Sequence, residues 1–104
     1  MLPTRLSQFL RAAVLTALLV VAGCQTAPVQ EMSDARQAIT VAREAGAEEY
    51  AADDLKAAVN YLQSAENFLY KHEYNLARRD AVQAKSSALD ALRRTEDNEE
   101  AEPW

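Results

Sequence analysis

Cysteine, histidine, glycine and proline are scarce in this chain, and each shortage removes a class of architecture. One Cys among 104 residues cannot close an internal disulfide, and one Cys with one His cannot complete a four-ligand zinc site from those side chains. Two Gly and three Pro leave few places where a helix must stop, and no Gly-rich loop exists to cradle a phosphate. Bases are short as well. Eleven Lys and Arg face sixteen Asp and Glu, formally -5, which argues against nucleic acid as a partner because a phosphate backbone needs a basic face. The length holds one small domain.

Side chains with catalytic potential are equally sparse. His72 has Glu73 beside it but no Ser or Cys nucleophile nearby in sequence, and reads as a solvated turn residue. The acid pairs Glu48/Glu49, Asp53/Asp54 and Glu99/Glu100 are adjacent, so on a helix their members diverge by about 100 degrees and cannot share one carboxylate site. Arg78/Arg79 and Arg93/Arg94 make two basic spots on the third helix that could meet an acidic partner, and they read more simply as surface charges pairing with acids of the second helix. The expectation is a non-enzyme with no cofactor, no metal and no small-molecule substrate.

What is present begins with an address. Residues 1–11 carry Arg5 and Arg11 and no acid, and residues 12–22 (AAVLTALLVVA) carry no charge and one hydroxyl. This is the pattern of a secretory n-region followed by an h-region. Eleven helical residues reach only ~16 Å, about half of a ~30 Å hydrocarbon core, so the run reads as a processing segment rather than a span. It ends in Val21-Ala22-Gly23-Cys24, where small residues precede a thiol. The four residues resemble the lipobox of bacterial lipoproteins. That resemblance implies diacylglyceryl transfer to the Cys24 sulfur, cleavage between Gly23 and Cys24 with Val21, Ala22 and Gly23 as the recognition residues, and acylation of the new amine. Two or three acyl chains would anchor the protein stably, where one would be marginal. Gln25 stands where an Asp favours inner-membrane retention in enterobacterial lipoproteins, which points to the periplasmic face of the outer membrane.

Without residues 1–23 the chain keeps nine bases and sixteen acids, formally -7. Anionic headgroups would repel such a surface, so the body is expected to stand off the bilayer on residues 24–32, a tether with roughly 15 Å of r.m.s. reach.

Residues 33–94 read as an all-α body, either a small three-helix bundle or a helical hairpin with a short preceding helix. Ser33 or Asp34 is the expected N-cap of a first helix that stops at Gly46, with Ala35, Ala38, Ala42 and Ala45 in 3-4-3 spacing and Ile39 alongside. A second helix opens on Asp53 and Asp54, which suit the positive end of its dipole, and carries Leu55, Ala58, Leu62, Ala65 and Leu69. The pattern breaks at residues 72–75. It resumes as Tyr74, Ala77, Ala81, Ala84, Ala88 and Ala91, a coiled-coil-like seam in a third helix that ends near Arg94. Small Ala on the third helix admits large Leu from the second. Residues 95–104 hold five acids and read as a disordered tail.

Two stripes fall outside the seam, Tyr61 with Phe68 and Val82 with Leu89 and Leu92. One reading has the first helix cover them in the groove between the other two; the other leaves them for a partner. Trp104, behind Pro103, is a third docking candidate.

Two family resemblances accompany these patterns. Tyr61-x2-Ser64-Ala65-x2-Phe68 followed by Tyr74, Ala77, Ala81 and Ala84 resembles a single tetratricopeptide hairpin, although Ser64, Ala81 and Leu89 depart from that pattern and one repeat cannot bury its own faces. Closer is the signature Ala35-x2-Ala38-x3-Ala42-x2-Ala45-Gly46-Ala47-x2-Tyr50-Ala51, then Leu55-x2-Ala58-x3-Leu62-x2-Ala65, then Glu73-Tyr74-x2-Ala77-Arg78. It resembles the domain of unknown function 4398, a helical module of Gram-negative envelope lipoproteins. The expected function is a lipid-anchored periplasmic adaptor that binds another envelope protein. The alternative is a structural lipoprotein that self-associates through its Ala-rich seam, as the murein lipoprotein does through a coiled coil.

Overall fold

A computed structural model of the protein describes residues 5, 7–13 and 26–101. Residues 7–13 are helical. The body is all-α, with α1 at Val29–Ala45, a short α2 at Ala47–Tyr50, α3 at Ala52–Tyr70 and α4 at Tyr74–Ala101. The long helices form a bundle in which α3 and α4 make an extensive antiparallel hairpin. Helix α1 lies principally along α4 and touches α3 less. No described helix is long and apolar enough to cross a membrane.

The small-against-large seam holds. Ala77, Ala81, Ala84, Ala88 and Ala91 are all fully buried, which brings the α4 backbone close to its neighbours and lets Leu55 and the half-buried Leu62 fill the space between. Two apolar clusters stack along the bundle. One gathers Ala38, Ile39, Ala42, Leu55, Ala58, Ala88 and Ala91; the other gathers Met32, Ala65 and Ala81. Leu62 packs against both and so joins them.

Three boundaries differ from the sequence reading, each because burial outweighs local composition. Helix α1 starts at Val29 after an N-cap at Pro28, not at Ser33 or Asp34. Pro28 and Met32 are fully buried, and Met32 extends the Ala35, Ala38, Ala42 stripe one turn toward the N-terminus, so the polar Ser33 stays exposed inside the helix. The fixed φ of proline suits the opening of a helix, where its missing N–H costs nothing. The tether of residues 24–32 is shortened accordingly. From Thr26 onward the chain is bound to the body, with the Thr26 carbonyl accepting a 3.1 Å hydrogen bond from Arg78 Nη2.

At the other end α4 continues to Ala101 instead of stopping near Arg94 with a disordered tail. Thr95 lies four residues beyond Ala91, is fully buried, and donates its hydroxyl to the Ala91 carbonyl at 2.8 Å. The seam therefore runs one turn past the point where acids dominate the sequence. Asn98 Nδ2 adds a 3.4 Å contact to the Tyr50 carbonyl.

Helix α2 is the third difference. Gly46 adopts φ 103 and ψ 22, and its N–H closes α1 on the carbonyls of Ala42 and Arg43. The chain then makes one extra turn, whose Ala47 is buried, before α3 opens with Asp53 and Asp54. The break before α4 falls where expected. His72 takes φ 61, and its Nδ1 lies 3.2 Å from the Tyr74 hydroxyl in a hydrogen bond, with the two rings edge to face.

Candidate functional site

On α3, Tyr61, Ser64 and Phe68 sit at i, i+3 and i+7 and so share one face. The first turns of α4 bring Arg79 and Asp80 against that face, because Asp80 follows Ala77 by three residues and lies beside the seam. Together with Asn60 these side chains line a cleft of about 560 Å³. Tyr61 is 40% exposed at its rim, and Phe68 is half-buried within it.

At the floor of the cleft is a carboxylate. Asp80 is only 5% exposed. Ser64 Oγ donates to its Oδ2 at 2.5 Å, and Arg79 Nε reaches Oδ1 at 3.4 Å. A charge taken out of water must be paired or hydrogen-bonded, and here a hydroxyl from one helix and a guanidinium from its own serve it. Arg79 remains mostly exposed, so its pairing is open to exchange. A buried carboxylate that lines one cleft with two aromatic side chains can receive a hydrogen-bond donor or a cation with an apolar stem. No cluster of three or more potential metal ligands is found among the described residues.

The other apolar stripe divides. Val82 and Leu89 are half-exposed, whereas Leu92 packs against the larger core cluster with Val59 and Leu62 and belongs to the interior. Seven residues separate Val82 from Leu89, nearly two whole turns, while three more carry Leu92 roughly 60 degrees around the helix. Val82 and Leu89 share a line with Arg78 and Lys85, which pair with Glu31 and Asp34 of α1 at 3.2 and 4.0 Å. Their neighbour is thus α1, and beside Leu89 and Val41 a shallow groove of about 210 Å³ follows the α1–α4 junction. Arg94 pairs with Asp54 of α3 at 3.1 Å, and Arg93 with Asp90 on α4, so these bases serve the bundle itself.

Val21, Ala22, Gly23 and Cys24, and also Trp104, lie outside the described residues. Ser64, Arg79 and Asp80 were not singled out in the sequence as site residues. For Asp80 the signal is a charged residue next to Ala81 and at helical spacing from Ala77 and Ala84 of the seam.

No curated protein matches the chain, and neither does any solved structure. The model of a domain of unknown function (DUF4398) matches residues 30–102, which include α2 to α4 in full and all of α1 except Val29. The chain therefore belongs to the DUF4398 family.

Proposed function

We propose that the protein is a non-catalytic adaptor of the Gram-negative cell envelope, anchored by acyl chains on Cys24 and facing the periplasm from the outer membrane. Its helical body docks another envelope protein in the cleft between α3 and α4. The observation that carries the docking is the buried Asp80 carboxylate in a cleft that Tyr61 and Phe68 also line, with its exchangeable Arg79 partner. A Lys or Arg side chain of the partner would lay its stem on the aromatic rings and its charge on Asp80. The anchoring rests on the charged start, the short apolar run and the Val21-Ala22-Gly23-Cys24 box.

Self-association through the Ala-rich seam is disfavoured by the same packing that forms the body. The five seam alanines of α4 are enclosed within one chain, so a seam-driven oligomer would first have to unpack it.

In-cell photo-crosslinking from position 61 of the processed, membrane-bound protein tests the docking, with position 82 on the α1–α4 face as comparison. Adducts from 61 with a different envelope protein, identified by mass spectrometry, are the expected result. Adducts with a second copy alone would replace the adaptor by the structural lipoprotein, and a silent position 61 would overturn docking in the cleft. Cys24→Ala tests the anchor: an unprocessed precursor that takes up no labelled fatty acid is expected, and normal maturation would refute lipidation.

A further inference from the structure

The way the start of the body is fastened determines which end of the bundle can meet a membrane. Arg78 makes two contacts that close this start. Its Nη2 donates to the Thr26 carbonyl at 3.1 Å, and its Nε donates to Glu31 Oε1 at 3.2 Å. Between these points Pro28 is fully buried, and the Met32 N–H donates to the Pro28 carbonyl at 3.0 Å. Met32 forms one apolar cluster with Ala65 and Ala81, and Leu69, at the end of α3, packs against that cluster. Thr26 and the α3–α4 turn therefore lie at the same end of the bundle.

Cys24 precedes Thr26 by two residues, a length of chain that spans at most about 7 Å. An anchor at Cys24 thus holds this end of the body at the bilayer, in place of the loose standoff expected from the sequence. The turn found there suits a lipid headgroup layer. Tyr70 is 88% exposed, the most exposed of the described tyrosines, and Lys71 stands beside it. Tyrosine favours the membrane–water boundary, where its ring is half-buried and its hydroxyl stays wet.

Charge is distributed to match. Residues 26–36 and 62–83, the half nearest the turn, carry five acids and four bases. Residues 37–61 and 84–101, the far half, carry ten acids and five bases. Anionic lipid repels the far half and tolerates the near one, so the same orientation that the anchor imposes is the one electrostatics allows.

We propose that the α3–α4 turn is a lipid-contacting surface: Tyr70 and Lys71 rest in the headgroup layer, and Arg78 is the positioning residue that clamps the anchored chain so that the bundle stands on this end. The inference depends on acylation of Cys24 as set out under the proposed function.

The test uses processed protein purified from membranes and reconstituted in vesicles of phosphatidylethanolamine and phosphatidylglycerol. Cys24 is the one cysteine of the chain, so acylation leaves no thiol, and the parent protein should not react with maleimide. Tyr70→Cys and, at the far end, Asp97→Cys then each take a single fluorophore at an exposed position. Headgroup-quencher lipids are expected to quench the label at 70 several-fold more than the label at 97. Adding Arg78→Gln should lower quenching at 70 toward the value at 97. Equal quenching at both positions in a maleimide-silent parent overturns the lipid surface while leaving the anchor standing. Quenching at 70 that is indifferent to Arg78→Gln overturns the clamp. Maleimide labelling of the parent removes the anchor and this inference with it.

Discussion

Ser64 of α3 donates a 2.5 Å hydrogen bond to the Asp80 carboxylate of α4, tying the two helices of the hairpin at the floor of their shared cleft. Asp80 is buried, so this contact satisfies a charge that water cannot reach freely. Ser64→Ala should cost about 1–3 kcal/mol, the usual penalty for leaving a buried polar group short of a partner. Urea unfolding of the two proteins measures it. An unchanged midpoint would mean that Arg79 and solvent already suffice for Asp80.

Gly46 holds φ 103 at the end of α1, a conformation that costs a residue with a Cβ roughly 1–2 kcal/mol. Space is not the obstacle, since a Cβ there would meet Tyr50 ring carbons at an ordinary 3.7 Å. Gly46→Ala should therefore lower stability through the backbone alone, and Gly46→Asn, which accepts left-handed φ better, should lower it less. Thermal unfolding of both variants checks the order; equal losses would point to side-chain crowding instead.

Thr95 distinguishes an ordered end of α4 from a solvated tail. Thr95→Asp places a charge in a fully buried position and should cost roughly 2–3 kcal/mol or more. Thr95→Val keeps the volume and should be milder, because the lost hydrogen bond to Ala91 leaves a carbonyl that the helix ladder also serves. Indifference of the melting temperature to Thr95→Asp would show that the last turns do not pack in solution.

Ala84 sits at the middle of the α4 seam with no exposed surface. Enlarging it to Leu should destabilise the bundle by about 1–3 kcal/mol through overpacking. The same exchange at Val82, half-exposed two positions earlier, should be close to neutral. Circular dichroism melts of Ala84→Leu and Val82→Leu give the comparison, and similar behaviour of the two would contradict the close approach of α4.

The helices and their seam were legible because alanine and leucine at 3-4 spacing leave few alternatives once glycine and proline are nearly absent. Gly46 and the break before Tyr74 were legible for the same reason. Limits set by composition were less dependable. Thr95 reads as the first residue of an acidic tail and Met32 as the last residue of a tether: each continues the 3-4 spacing of its stripe by one step, but acids follow Thr95 and a Pro-containing polar stretch precedes Met32. Leu92 falls in one stripe with Val82 and Leu89 by spacing, although the helix turns it inward against the larger core cluster, as Val59 and Leu62 are.

The candidate cleft was half-visible. Tyr61 and Phe68 announce themselves as an aromatic pair outside the seam, but Asp80 acquires meaning only beside Ser64, sixteen residues earlier. No spacing rule links residues on opposite arms of a hairpin until the register of the two helices is known.

The sequence by itself determined an all-α body and the seam that closes it, because helical periodicity is a local property repeated along the chain. Only the tertiary structure decided that Arg78 fastens Thr26 and Glu31, that Thr95 extends the core, and that a buried Asp80 shares a cleft with Tyr61 and Phe68. Those facts depend on which residues distant in sequence meet, and that is fixed by the packing of whole helices rather than by any segment alone.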